Sequence, residues 1–374
     1  MRTCHVCSAK GGSLLRCVHL EGKTPRLIDE WQSVPEIWNR VRRAVDDRKA
    51  FGQFILTGSA QPRDDAMRHS GAGRISRLRM YTLSTFESGH STGSVSMAAL
   101  LKGETISTGK CSQTFDDLVD SVVTGGWPAN LQASVSTTMR RVRDYLVEAA
   151  RIDVAQPDLT SRGKDPRKVG AVIQSLARGV GSSMSLSTIR EDLSQVSVDI
   201  SERTVESYLD ALQRAMLIEF VPAWTVHLRS RARLRTKPKH YFADPSLAAA
   251  ALKASPKHLR DDLRLLGLLF ENLVMRDLLV YAQHNDATIS FYRDNNGLEV
   301  DAIVEQHDGA WIAIEIKLGA NAVDDAAATL QRFVGKVDTD RKGEPAALVV
   351  ITGNGYHYPR TDGVSVVPFG VLGP

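Results

Sequence analysis

Glu315 and Lys317 stand two residues apart in the run WIAIEIK, residues 311–317. In an extended strand that spacing puts both side chains on one face. Upstream, Ile289–Arg293 and Leu298–Val304 read as paired strands around the turn signal Asn295-Asn296-Gly297. Asp308-Gly309 supplies a second tight turn, so the strand carrying Asp301 folds back beside Glu315. Before the hairpin, the apolar stretch LLFENLVMRDLLVY reads as a helix with Glu271 inside it. Carboxylates are hard oxygen ligands suited to Mg²⁺. A lysine beside them can stabilise developing negative charge or orient an attacking water. The candidate catalytic set is therefore Glu271, Asp301, Glu315 and Lys317, with Asp301 and Glu315 as metal ligands and Mg²⁺ as cofactor. The same residue types also form plain ion-pair networks, in which the lysine neutralises the acids and no metal enters.

A second set lies near the start. In RLIDEWQ, residues 26–32, a short strand runs into Asp29 and Glu30. Such a strand end can hold Mg²⁺ through the aspartate's water shell while the glutamate polarises a water. The helical pattern PEIWNRVRRAVDDR follows, and then the strand FIL, Phe54 to Leu56, ending in Thr57, Gly58 and Ser59. A polar residue such as Thr57 or Ser59 at that tip can sense a phosphate, but the run alone also fits any strand followed by a turn. A nucleotide site also needs a phosphate loop, G-x-x-x-x-G-K-[ST], opening a helix. Gly22-Lys23-Thr24 is the nearest match, but Cys17 stands where the first glycine belongs, and Pro25 and the acidic strand follow at once. ATP binding is not expected from it.

The third set is basic. In HLRSRARLRTKPKH, residues 227–240, Arg229, Arg231, Arg233, Arg235, Lys237 and Lys239 alternate and share a face if extended. Six like charges on one face suit a nucleic-acid backbone, or a solvated loop. Just upstream, residues 167–222 fit a winged helix-turn-helix with helices RKVGAVIQSLARGV, SLSTIREDLS and SERTVESYLDALQRAMLI. Ser201 is a good N-cap for the third. Its exposed Glu202, Arg203, Glu206 and Asp210 are a poor phosphate surface, so DNA reading and simple packing stand about level. Arg74, Arg77 and Arg79 could face phosphate, but solvated charges are the commoner reason for such residues.

These sites need more than one scaffold. The 374 residues allow two or three domains, and a net charge of +4 argues little about partners. No apolar run reaches the roughly 18 residues of a membrane span, no signal peptide is visible, and a cytoplasmic protein without membrane contact is expected. Cys4 and Cys7 have zinc-ligand spacing, but Cys17 and His19 are not a standard second half, so free thiols are expected.

The order LIDEWQSVPEIWNRVRRAVDDR, FILTGSA, GAGRISRLRMYTLSTFES resembles the AAA-type P-loop ATPases of bacteria and archaea that carry a C-terminal domain of unknown function. The Asp301, Glu315-x-Lys317 pattern with a helical Glu271 likewise resembles the PD-(D/E)XK nuclease-like fold. The resemblance implies Walker B roles for Asp29 and Glu30 and a sensor role for Thr57 or Ser59. It also implies a phosphate loop upstream of these residues, so a truncated start, or a paralogue that has lost the loop, is expected. The expected architecture is α/β throughout: a truncated P-loop ATPase core at 1–90, a linker and helical segment at 91–165, a winged helix with a basic wing at 166–245, and a restriction-endonuclease-like α/β domain at 246–374. The expected function is a nucleic-acid-associated protein with a metal-dependent nuclease-like site. Its rivals are a non-catalytic interaction protein and, with an upstream start, an active ATPase.

Overall fold

The short strand RLID and the helix after it form because Ile28, Ile37, Trp38 and Val41 fall on inward faces; all four are buried. The computed structural model describes residues 3–5, 20–59, 71–154, 164–225 and 236–374. The chain divides into two units, one of residues 1–80 with 210–216 and one of residues 81–209 with 217–374. In the first, β1 (Thr3–His5), β2 (Arg26–Asp29) and β3 (Phe54–Leu56) make a parallel sheet in the order β1-β2-β3. Helix α1 (Glu36–Arg48) connects β2 to β3. It ends where Lys49 takes a left-handed φ of 50° and its N–H returns to the Val45 carbonyl.

The second unit opens with small elements: β4 (Val95–Ser96), α2 (Met97–Leu101) and β5 (Gly109–Lys110). Helices α3 (Phe115–Thr124) and α4 (Val135–Glu148) follow, each started by a side-chain cap, Thr114 on the Asp117 N–H and Ser134 on the Thr137 N–H. Next come α5 (Pro166–Arg178), α6 (Leu186–Gln195) and α7 (Glu202–Arg214), whose last residues belong to the first unit. Ser201 caps α7 through the Thr204 N–H at 3.2 Å. An antiparallel pair, β6 (Ile218–Val221) and β7 (Lys239–Phe242), then leads into α8 (Pro245–Ala251), α9 (Pro256–Asp261) and α10 (Leu263–His284).

The remainder is β8 (Ala287–Arg293), β9 (Glu299–Gln306), β10 (Trp311–Lys317), α11 (Val323–Val334), α12 (Thr339–Lys342), β11 (Ala347–Thr352), β12 (Tyr356–Pro359), β13 (Val364–Pro368) and β14 (Leu372–Gly373). Seven strands form one mixed sheet, ordered β5-β12-β13-β11-β10-β9-β8. β10 runs antiparallel to β9 and parallel to β11, which is parallel to β13. The strands at the sheet's centre are apolar on both faces, as expected for a sheet covered on both sides. One face packs Trp311, Ala313, Val350 and Val366 against Ala327, Leu330 and Phe333 of α11, with Trp224 closing the end.

Helix α10 is apolar nearly all round, as a helix buried in a core must be. Its buried polar residues are therefore informative, because each needs a partner. The Asn272 side chain accepts from the Phe242 N–H at 2.9 Å and donates to the Phe242 carbonyl at 2.8 Å, so it binds β7 as a neighbouring strand would. Arg276 lies between Asp244 at 3.1 Å and Asp277 at 2.6 Å, and Asp277 also accepts from the Thr85 N–H at 2.8 Å. These bonds fix β7 and the 82–85 segment against the helix. Among the described residues no helix is long and apolar enough to cross a membrane.

Candidate functional site

Along β10 and β9 the pairing Ala313 with Ile303 faces the α11 core. Two residues further along the same face are Glu315 and Asp301, where the apolar layer gives way to a cavity of about 730 Å³. Glu299, Asp301, Glu315 and Lys317 line it, with Arg332 and Lys336 on the α11 side. Lys317 lies 2.6 Å from Glu315 and 3.4 Å from Asp301. The Ile316 N–H donates to the same Asp301 oxygen, Oδ2, at 2.8 Å. Asp301, Glu315 and Lys317 thus occupy one place.

Glu271 lies to one side of them. Tyr241 Oη donates to it at 2.7 Å, and Lys239 Nζ stands 3.4 Å away. Among the described residues no group of three His, Cys, Asp or Glu is placed to hold a metal, so the expected convergence of Glu271, Asp301 and Glu315 on one ion is not what this geometry provides. Asp301 and Glu315 share Lys317, and Glu271 is engaged by β7.

Lys239 corrects a second expectation. Alternation placed it with five other cations on an open basic face, but it is 3% exposed. Its ammonium lies 2.6 Å from Glu299, 3.4 Å from Glu271 and 3.7 Å from Asp301 Oδ1. The Asn272 clamp on Phe242 holds β7 against α10, and the strand period of two then turns both Lys239 and Tyr241 toward Glu271. Lys237 is exposed. Arg229, Arg231, Arg233 and Arg235 lie outside the described residues, as do Cys7, Cys17 and His19.

Glu299 and Tyr241 were not among the sequence candidates. Glu299 had a readable signal, because it precedes Asp301 by two in the segment EVD and must share its face. Tyr241 had none, since nothing local ties residue 241 to residue 271.

The charge count of the cluster decides its electrostatics. Four carboxylates, Glu271, Glu299, Asp301 and Glu315, meet two ammonium groups, Lys239 and Lys317. Arg293 touches only the outer side of Glu299, at 3.7 Å. With all groups ionised, the inner cluster carries two negative charges too many. Burial, then repulsion from Asp301, pushes Glu315 up to about 8 despite Lys317. The same two causes push Glu271 up to about 7 despite Lys239 and the Tyr241 hydroxyl. For Lys239, burial opposes the charge, but Glu271, Asp301 and Glu299 outweigh it and its value is raised. Lys317 is likewise raised by Asp301 and Glu315 against burial. Burial first, and then the excess of negative charge, thus favours the protonated form of both acids. A divalent cation on Asp301 and Glu315 would balance the count, and its oxygen-only donor set suits Mg²⁺ or Mn²⁺.

In the first unit the acidic strand end and the neighbouring tip pair off. Thr57 Oγ1 donates to Asp29 at 2.6 Å, and the Thr57 N–H donates to the Ile28 carbonyl at 2.9 Å. Glu30 has a left-handed φ of 51° and accepts from Gln32 and, at 3.3 Å, from Ser59. Parallel pairing of β2 with β3 brings these four side chains together. Gly22-Lys23-Thr24 lies in bends that lead directly into β2. Arg74 pairs with Asp46 at 2.5 Å and Arg77 sits over the Trp38 ring.

Comparison with known proteins agrees with part of this reading. Residues 11–88 match a family model described as an AAA domain. Residues 115–258 and 266–372 match two models described as domains of unknown function, DUF8612 and DUF4143. An uncharacterized protein of Haemophilus influenzae is 24% identical over 348 residues, 91% of this chain and 75% of that protein. Uncharacterized proteins of Mycobacterium bovis and Mycobacterium tuberculosis are each 22% identical over 343 residues, 91% of this chain and 67% of theirs. A solved half-complex from a tetradecameric assembly of Thermococcus gammatolerans McrB AAA+ hexamers with bound McrC is similar at a TM-score of 0.24 and 12% identity, over 68% of this chain and 70% of that one. A likeness of that size carries no argument. The AAA-domain match covers residues 11–88, ahead of the unit that carries the seven-stranded mixed sheet.

Proposed function

We propose that this AAA-type protein carries in its C-terminal part a metal-dependent nuclease-like site acting on nucleic acid, with Asp301 and Glu315 as ligands of one Mg²⁺. The observation that supports it is the meeting of Asp301, Glu315 and Lys317 at one cavity whose carboxylates outnumber their cations. Mg²⁺ there would supply a Lewis acid for the phosphoryl oxygen and lower the proton affinity of a bound water. Asp301, held by the Ile316 N–H, and Glu315 would fix that ion's position. Lys317, between them, is placed to stabilise the negative charge that builds on the phosphate during attack. Arg332 on the far wall offers the phosphate backbone a cation, while Lys336 there is paired with Asp294. Glu271 is bonded by Tyr241 and Lys239 and is not a ligand of the ion in this reading.

The test is Mn²⁺-dependent cleavage of single- and double-stranded DNA and RNA by the intact chain. Cleavage that disappears in the Asp301→Ala, Glu315→Ala double variant supports the proposal. Cleavage that persists belongs to a contaminant. Mn²⁺ binding without cleavage of any of these substrates favours a non-catalytic interaction protein.

In the N-terminal domain the reading is an ATPase-type strand pair whose Asp29–Thr57 and Glu30–Ser59 contacts are in place. Among the described residues nothing offers a phosphate cradle opening a helix, so tight ATP binding is not part of the proposal.

A further inference from the structure

Asp301 presents its two carboxylate oxygens to different cations. Oδ2 faces Lys317 and the Ile316 N–H, while Oδ1 faces Lys239 at 3.7 Å. Around Lys239 the remaining acceptors are Glu299 at 2.6 Å and Glu271 at 3.4 Å. These three carboxylates surround one buried point, and as placed around the ammonium they are not a set that would hold a metal ion. That point holds an ammonium, brought in by β7 and held by the Asn272 clamp and by Phe291, whose ring centroid lies 5.5 Å from Lys239 Nζ.

Resting on the metal reading above, we infer that Lys239 is a resident cation filling the second cation position of the site, so that this protein takes one divalent ion, on the Asp301–Glu315 side, and not a pair. Two-metal sites place their ions about 3.5–4 Å apart, bridged by a shared carboxylate. Among the described residues Asp301 is the only carboxylate within 4 Å of both lysines, and Lys239 already occupies the side a bridging ion would take. The lysine is 3% exposed and is covalently part of β7, so an ion reaching this point has to displace a buried side chain. Its charge also acts on the remaining position. A fixed positive charge a few ångströms away weakens binding of a divalent cation through repulsion that low local polarity leaves poorly screened.

The experiment counts Mn²⁺ on the intact chain by isothermal titration and by electron paramagnetic resonance, which distinguishes an isolated ion from a coupled pair. The wild-type chain is expected to bind one ion with an uncoupled spectrum, and Asp301→Asn to lose it. Lys239→Met, close in length and without charge, is expected to bind a second ion with a coupled spectrum and to hold the first at least tenfold more tightly. A coupled pair in the wild type, or a single ion of unchanged affinity in Lys239→Met, overturns the inference and leaves the metal reading standing. No ion at all in the wild type, or one that survives Asp301→Asn, removes the metal reading and the inference with it. Should Lys239→Met not fold, the Glu271→Gln, Glu299→Gln double variant decides. It is expected to keep one ion within tenfold of the wild-type affinity, and its loss would put the ion on the lysine's side.

Discussion

Replacing Glu315 with glutamine should make the protein more stable than wild type at high pH and not at low pH. Glu315 titrates near 8 and Glu271 near 7 in the folded chain, both raised chiefly by burial and then by Asp301. An unfolded glutamate titrates near 4.3. Folding therefore favours the protonated acids. Their contribution is fully present below about pH 4.3 and is lost as pH rises through about 7 and then about 8. The lysines of the cluster are shifted upward, so they remain charged throughout this window. At about 1.4 kcal/mol per unit, the Glu315 shift corresponds to roughly 5 kcal/mol and that of Glu271 to roughly 4 kcal/mol. Asp301 raises both, so the contributions overlap, and a total loss of about 5 kcal/mol between pH 5 and pH 9 is expected. In Glu315→Gln the larger part of that loss disappears. The variant gives up the 2.6 Å charge-assisted bond from Lys317, but Asp301 remains to pair with the lysine. Urea midpoints at pH 5, 7 and 9, read from the fluorescence of buried Trp224 and Trp311, measure the effect. The difference between variant and wild type should move in the variant's favour by about 2–4 kcal/mol from pH 5 to pH 9. Millimolar Mn²⁺ should flatten the wild-type curve and leave that of the variant nearly unchanged. Parallel curves for the two proteins would refute the charge count on which the argument rests.

Arg276→Leu should cost about 3–5 kcal/mol, because it leaves Asp244 and Asp277 buried without their shared cation; urea unfolding at neutral pH checks this. Gly126→Ala should yield little folded protein by expression and circular dichroism, since an added methyl would lie 1.9 Å from the Leu83 carbonyl oxygen and the clash is with backbone. Titration of the chain with Mg-ATP should show no micromolar binding, and micromolar affinity would mean that residues outside the described ones cradle the phosphates.

The second unit was readable in the sequence where patterns were local. Strands β8, β9 and β10 were marked by apolar runs between the turns Asn295-Asn296-Gly297 and Asp308-Gly309, and the period of two put Glu315 and Lys317 on one face. Helix α10 was marked by length and apolarity. What could not be read was which distant segment would approach. An alternating Lys and Arg run has the same pattern whether it is solvated or enters an acidic pocket, so Lys239 looked like one more cation in a basic stripe. Its burial depends on Asn272 bonding to Phe242, thirty positions before it. Glu271 stood out as a charged residue inside an apolar helix, but its partner Tyr241, and the partners Asp244 and Thr85 of Arg276 and Asp277, come from other elements.

That dependence also changes how the candidate site should be divided. A boundary at residue 245, the natural place from sequence, separates β7 from the sheet that carries Asp301 and Glu315. In the structure the two are packed in one unit, and Lys239 supplies one of the two ammonium groups that make the acidic cluster tolerable in a buried place. Removing everything before residue 246 would leave four carboxylates with Lys317 alone, three negative charges in excess, and would expose the face of α10 that binds β7. Such a fragment should be less stable and more strongly dependent on pH than the intact chain. It would also offer divalent ions a wider set of ligands than the protein presents. Metal binding measured on an isolated C-terminal fragment would therefore describe a different site, and the count of ions has meaning only on the chain that retains Lys239.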